Sequence, residues 1–326
     1  MWQWALLMGA VLAGATAVEA APQTIDDDHR SPLQGAAGEN KKTNFLTPIL
    51  LDTDIGTDID DAFALTLVMR SPELELLGVT TVSGDTAARA RLAAKLLWES
   101  GFQFVPVAAG KPGKPLPQEQ TRWADGFSSP QIRQEPALDL LKAEIERRPG
   151  KITLLAIGPL TNVAELIERE PATASKLKRI ALMGGSIAHG YGQALAPAAE
   201  YNIASDPKAA QAVFGSGIPI LMAPLDATAM LELGPTARHR VFTHLTTLTD
   251  SLTILYHLWN RPAPILFDPM AVALLIEPDL CQTKNLAIRV DSKGFTRVGP
   301  GKPNATVALK TNPRRFFNFY LGRVAP

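Results

Sequence analysis

Between Pro48 and Met69 the chain reads PILLDTDIGTDIDDAFALTLVM, which sets five carboxylates within ten residues between two apolar runs. Ile49, Leu50 and Leu51 have the composition of a short buried strand, and Ala62, Phe63, Leu65, Leu67, Val68 and Met69 begin a buried helix. Asp52, Asp54, Asp58, Asp60 and Asp61 therefore fall on a strand-to-helix loop, where they repel one another. Open α/β folds place their ligands on such loops, at the carboxyl ends of sheet strands. Hard oxygen donors converging on one point suit Ca²⁺ or Mg²⁺ better than a softer metal. The plainer alternative is a solvated acidic turn that caps the helix through Asp58 or Asp60.

The pattern that follows repeats the same unit. Leu74 to Val82 is an apolar run ending in Ser83-Gly84-Asp85, Ala87 to Trp98 repeats apolar residues at helical spacing, and Val105 to Ala108 is a further short strand. Strand, helix, strand, helix, strand predicts a parallel sheet. The Pro- and Gly-bearing stretch 110–129 is a long loop, and loops of that length are often functional, so a flap is one reading. Its Trp123 suits either stacking on a flat base or packing against the sheet edge. Downstream, Ala137 to Arg147 is an amphipathic helix, and Ile152 to Ile157 is a strand turning through Gly158-Pro159 into a helix. Ile180 to Met183 and Ile218 to Ala223 are further strands. Asp206-Pro207 has the form of a helix start, as does Asp268-Pro269 before the apolar helix Met270 to Ile276. Thr243 to Trp259 is helical, and the tail from Leu286 to Tyr320 reads as strands with a turn at Gly294 and a closing helix. The fold class is α/β, a single domain with a mostly parallel central sheet flanked by helices.

With 326 residues, 46% of them hydrophobic, the chain can bury a large core. Lys+Arg and Asp+Glu both total 32, so no general charge argument favours nucleic acid or an anionic membrane, and a small neutral substrate fits better. The uncharged apolar run from Trp4 to Ala17, followed by Val18-Glu19-Ala20, has the form of a signal peptide spanning 1–20, which predicts an exported, periplasmic or secreted protein. The run is short for a membrane span, so no membrane association is expected after cleavage. Residues 21–45 are polar and read as a flexible tether to a catalytic domain over 46–326. Cys281 is the single cysteine, so stability comes from the core rather than from an internal disulfide.

Taken together, six ordered blocks resemble the inosine-uridine preferring nucleoside hydrolases from Pro48 to about Leu321. They are Asp52-Thr53-Asp54 through Asp60-Asp61-Ala62, Thr80 to Gly84, Ile157 to Asn162, Met183-Gly184-Gly185, Ala199 to Asn202 with Asp206-Pro207, and Asp268 to Val272. The resemblance implies Ca²⁺ held by Asp54, Asp61, the backbone carbonyl of Ile157 and Asp268, with Asp54 also the general base. It places Asp60 at the ribose 2′-hydroxyl, Glu200 and Asn202 at the other ribose hydroxyls, and Met183 and Asp85 beside the substrate. Pro159, Thr161 and Asn162 become support for the Ile157 carbonyl, and Asp52 support for the loop. The implied reaction is hydrolysis of the N-glycosidic bond of a ribonucleoside through an oxocarbenium-like state. A homodimer or homotetramer is implied as well.

This chain departs from that pattern in three places. The acidic loop is two residues longer than the commonest form, with Asp58 the extra acid and a competing ligand. Asp85 stands where the family usually has Asn. Phe267 occupies the position of a His that serves many members as acid to the leaving base. His189, in the loop after Met183, is the histidine best suited to that vacancy, with Tyr191 and Tyr201 as alternatives. Two other readings compete: an exported nucleoside- or ribose-binding protein with little turnover, and a haloacid-dehalogenase-like phosphatase using Asp52-Thr53-Asp54. The phosphatase reading wants Gly where this chain has Ile55, and the later blocks have no place in it.

Overall fold

Alternation along the first strand already divides the core in two. Ile49 and Leu51 pack into one hydrophobic cluster and Leu50, between them, into the other, so both faces of the sheet are covered. The structure, a computed structural model, describes residues 46–326. The signal peptide expected over 1–20 and the polar segment 21–45 lie outside the described residues.

The strands are β1 (Thr47–Thr53), β2 (Leu74–Thr81), β3 (Val107–Ala109), β4 (Thr153–Ala156), β5 (Arg179–Met183), β6 (Ile220–Ala223), β7 (Cys281–Leu286), β8 (Ile288–Val290), β9 (Thr296–Val298) and β10 (Ala305–Thr311). Eight of them form one sheet in the order β3-β2-β1-β4-β5-β6-β10-β7. Every neighbouring pair is parallel except β10 with β7. From β1 the chain runs outward through β2 to β3, then returns to the other side of β1 and runs outward through β4, β5 and β6. The order thus reverses between β1 and β4, and the crevice outside their carboxyl ends is where such sheets bind ligands. The acidic loop leaves β1 at that point.

Some local readings shift. The helix after the acidic loop spans Asp60–Met69, and its N-cap is Ile59 with no side-chain cap, so neither Asp58 nor Asp60 acts as the cap that the plainer alternative required. Asp268 is likewise no cap: it is the second residue of the helix Phe267–Ile276, whose N-cap is Leu266. Asp206, by contrast, does cap, its side chain accepting from the Ala209 N–H at the start of Pro207–Gly215. The region read as one helix from Thr243 starts later, at Thr247, because Thr246 and Thr249 form a reciprocal capping box. β8 and β9 form a separate hairpin whose Thr296 hydroxyl donates to the Ser186 carbonyl at 2.8 Å and accepts its N–H at 2.9 Å, bracing the loop after β5. Among the described residues no helix is long and apolar enough to cross a membrane.

Candidate active site

Asp52 ends the strand core of β1 with no exposed surface. Its Oδ1 accepts from the Thr80 hydroxyl at 2.6 Å and from the Asn162 amide at 2.8 Å, while Oδ2 has no partner. Burial pushes its pKa up to about 7 against those two hydrogen bonds. Asn162 also donates to the Thr81 carbonyl, so it ties β1 to β2 rather than supporting the Ile157 carbonyl, and Thr161 donates instead to Asp206. At Gly158, a Cβ would stand 2.9 Å from both the backbone N and Oδ1 of Asp54. Only glycine lets the turn after β4 close on Asp54.

Beneath the acidic loop lies Arg89, fully buried on the helix Thr86–Glu99. Its guanidinium donates to the carbonyls of Asp54, of Ile55 at 2.9 Å and of Ser83 at 2.8 Å, and to the Thr57 hydroxyl at 2.9 Å. Sequence reading passed over this residue. The signal was there: Arg89 shares the apolar stripe of its helix with Leu92, Ala93 and Leu96. The long loop 110–129 also serves the acidic loop, through Gln120 donating to the Asp58 carbonyl at 2.7 Å. Its Trp123 lies under the Lys95 ammonium, 4.4 Å from the ring centroid, and does not line the cleft.

Asp60, Asp61 and Asp268 each offer a carboxylate oxygen within 4.8 Å of the others, and each is at most 5% exposed. Burial raises all three well above the ordinary carboxylate range, and their repulsion of one another and of Asp54 and Asp58 adds to it. The Thr53 hydroxyl donates to Asp61, and the Asp268 N–H donates to Asp60 at 3.3 Å. Asp54 lines the same cleft without joining the converging three. Burial lifts its pKa to about 6, opposed by the Arg89 charge. Asp60, expected as a ribose contact, thus stands with the metal-type cluster.

The opposite wall comes from the ends of β4 and β5. The Asn202 amide donates to the carbonyls of Ile157 at 3.1 Å and Met183 at 3.2 Å. Glu200 caps the short helix Tyr201–Ser205, accepting from the N–H groups of Asn202, Ile203 and Gly185, and burial pushes it up to about 7. These residues and the acids enclose a cleft of about 270 Å³, whose mouth is formed by Thr57, Asp58, Tyr191, Tyr201, Arg261 and Phe267.

Two expected site residues lie elsewhere. Asp85 is exposed and caps the helix Thr86–Glu99 by accepting from the Ala88 N–H at 2.9 Å, so it does not line the cleft. His189 turns away as well. Buried Asp226 gathers the backbone N–H groups of Ile187, Ala188 and His189, and the His189 ring follows, with Nδ1 3.5 Å from Asp226 Oδ1. Tyr191 occupies the mouth instead, its hydroxyl accepting from the Tyr201 N–H at 2.9 Å and its ring meeting Phe267 edge-on at 6.1 Å.

An all-oxygen set of crowded, buried carboxylates, with no Lys or Arg bonded to them among the described residues, fits a hard divalent metal ion. Comparison with known proteins decides the family. The sequence profile of the inosine-uridine preferring nucleoside hydrolases matches residues 49–318, a span that includes every residue lining the cleft. The chain belongs to that family. As a ribonucleoside hydrolase it is similar to Uridine nucleosidase 1 of Arabidopsis thaliana, 34% identical across 76% of this chain and 79% of that protein. It is 32% identical to Pyrimidine-specific ribonucleoside hydrolase RihA of Klebsiella pneumoniae, across 85% of this chain and 98% of that one. Among solved structures, the plant nucleoside hydrolase PpNRh1 matches with a TM-score of 0.76 at 25% identity, covering 86% of this chain and 99% of that one.

Proposed function

We propose that this hydrolase works with Ca²⁺ and cleaves the N-glycosidic bond of a ribonucleoside by Asp54-assisted attack of water, giving ribose and free base. The observation that carries the reading is the convergence of Asp60, Asp61 and Asp268 beside Asp54, at the point where the strand order reverses. Asp61 and Asp268, with Asp60 converging on them and with Asp54 and the Ile157 carbonyl on the same cleft, would hold the ion. When bound, Ca²⁺ neutralises part of the acid cluster and makes a neighbouring water easier to deprotonate.

Asp54 would take a proton from the attacking water. In the metal-free protein burial lifts Asp54 to about 6, so its carboxylate is ionised at neutral pH, and a bound cation would favour that form further. The water oxygen bonds to C1′ as the C1′–N bond breaks, and the bonding pair departs on the base nitrogen. Positive charge developing on the sugar ring is stabilised by the surrounding carboxylates. Asp60 accepts from the 2′-hydroxyl. Because the Asn202 amide nitrogen is spent on two carbonyls, its Oδ1 faces the ribose as an acceptor.

Release of free base from uridine and inosine, measured by chromatography with Ca²⁺ or with chelator, tests this reading. Asp54→Ala and Asp268→Ala are each expected to lower turnover by at least about 100-fold, the lower end of what a positioned general base contributes. Turnover near that of the unchanged protein in either variant would overturn the assignment. Full activity in chelator, or equal restoration by Mg²⁺, would overturn the choice of Ca²⁺.

A further inference from the structure

Burial grades the cleft from one end to the other. The acids and Asn202 at its floor are at most 6% exposed, whereas Tyr191 and Tyr201 at the mouth are 44% and 43% exposed. A ribose seated on the floor therefore directs its base toward Tyr191, Tyr201, Phe267 and Arg261. Phe267 has no proton to give. The two phenols are neutral and poor acids, since burial raises both above the ordinary tyrosine range. Arg261 is the one cation among the described residues that line the cleft.

The position of Arg261 follows from how its helix ends. Asn260 adopts the left-handed conformation with φ +54 after Thr247–Trp259, and the next residue turns back over the Trp259 ring, its guanidinium 5.7 Å from the ring centroid. Arg261 is attracted by Asp58, the acid of the lengthened loop. Among the described residues it nonetheless forms no ion pair, which leaves its planar fork of donors open.

We propose that Arg261 is a catalytic residue that stabilises the departing base, acting by charge and hydrogen bonding in place of a proton donor. The proposal rests on the hydrolase reading of the same cleft. As the C1′–N bond breaks, its electron pair stays on the base, and the negative charge spreads to the ring nitrogens and carbonyl oxygens. A guanidinium donates to those acceptors without losing its own proton, and the released base takes its proton from solvent afterwards. The Asp58 charge attracts the guanidinium to the mouth without pairing with it.

The test compares two leaving groups in Arg261→Met and Arg261→Lys: uridine, whose base needs stabilisation, and p-nitrophenyl riboside, whose nitrophenolate departs without it. Arg261→Met is expected to lower kcat on uridine by about 10- to 100-fold, below the loss typical of a fully enclosed donor because this site is open. On p-nitrophenyl riboside the same variant is expected to stay within about threefold of the unchanged protein. Arg261→Lys recovers part of the uridine activity, since charge is kept and the fork is lost. Equal losses on both substrates, or unchanged uridine turnover, would overturn the proposal. If the unchanged Ca²⁺-loaded protein cleaves neither substrate, the hydrolase reading itself falls, and this proposal with it.

Discussion

Replacing Arg89 with Met removes every hydrogen bond from the carbonyls of Asp54, Ile55 and Ser83 to the helix beneath them, together with the bond to the Thr57 hydroxyl. Each buried acceptor left without a donor costs about 1–3 kcal/mol. Two such losses, at the Asp54 and Ile55 carbonyls, and two smaller ones at the part-buried Ser83 carbonyl and Thr57 hydroxyl are offset in part because the guanidinium itself no longer has to be desolvated, a penalty of several kcal/mol per buried ion. The expected net destabilisation is about 3–5 kcal/mol. A second effect separates this loss from ordinary packing damage. The Arg89 charge favours ionised Asp54 and Asp61, so its removal raises carboxylate repulsion most when nothing else neutralises the cluster. With Ca²⁺ bound, repulsion between guanidinium and ion also disappears. The loss is therefore expected to be larger in chelator than in Ca²⁺. Urea denaturation of both proteins under both conditions, compared at equal m-value, measures this difference. A loss below about 1 kcal/mol in chelator, or a larger loss in Ca²⁺, would refute the role assigned to Arg89.

Two further outcomes follow from the same geometry. Gly158→Ala puts a methyl group 2.9 Å from Asp54 Oδ1, so Asp54, the proposed general base, must move; kcat is expected to fall about 100-fold, and steady-state turnover at saturating nucleoside and Ca²⁺ that matches the unchanged protein contradicts the close approach. In the metal-free protein, Asp52 and Glu200 have folded pKa values raised to about 7, whereas the unfolded chain titrates near 3.8 and 4.5. Between those limits the folded state binds more protons, so their contribution to stability is full below the unfolded values and is lost as pH rises through about 7. Each group contributes a slope of about −1.4 kcal/mol per pH unit inside that window. Urea midpoints in chelator are accordingly expected to fall from pH 5 to pH 7; midpoints that rise with pH across that range show that these carboxyls are not buried as described.

How much was legible in the sequence depends on whether a feature leaves a periodic or ordered trace. β1 and its helix announce themselves because both are buried on all sides, which makes their residues continuous apolar runs. β7 leaves no such trace: it is an edge strand, and Gln282 to Asn285 all face solvent. The ordered blocks brought Asp54, Asp60, Asp61, Ile157, Met183, Glu200, Asn202 and Asp268 to one cleft in the structure, as the resemblance implied. His189 and Asp85 lie outside that cleft because side-chain direction within a loop depends on what fills the space behind it. Asp226, distant in sequence, gathers the loop after β5 and holds His189 against itself. Asp85 is spent on a helix terminus that needs an acceptor. Arg89 was hidden for a different reason, since a charged residue on an apolar stripe reads as an exception until its partners are known.

Those partners explain how so many acids share one cleft. Had Arg89 paired directly with Asp54 or Asp61, it would have occupied carboxylate lone pairs that a metal ion or a ribose hydroxyl must use. It binds the backbone carbonyls of the loop instead, so its charge acts on the carboxylates while their oxygens stay open. The cluster is left under-neutralised, and what completes it is a matter of competition. Protons do so when no ion is present, which is the meaning of the raised pKa values at Asp60, Asp61 and Asp268. A divalent cation can bind only by displacing them, so its affinity must rise with pH across the range in which these groups would otherwise be protonated. The lengthened loop sends Asp58 to the mouth rather than into the converging three; from there it still repels the acids at the floor, and the Arg261 charge offsets its own. On the proposed reading, acid at the floor holds cation and sugar, and base chemistry is left to a cation at the rim.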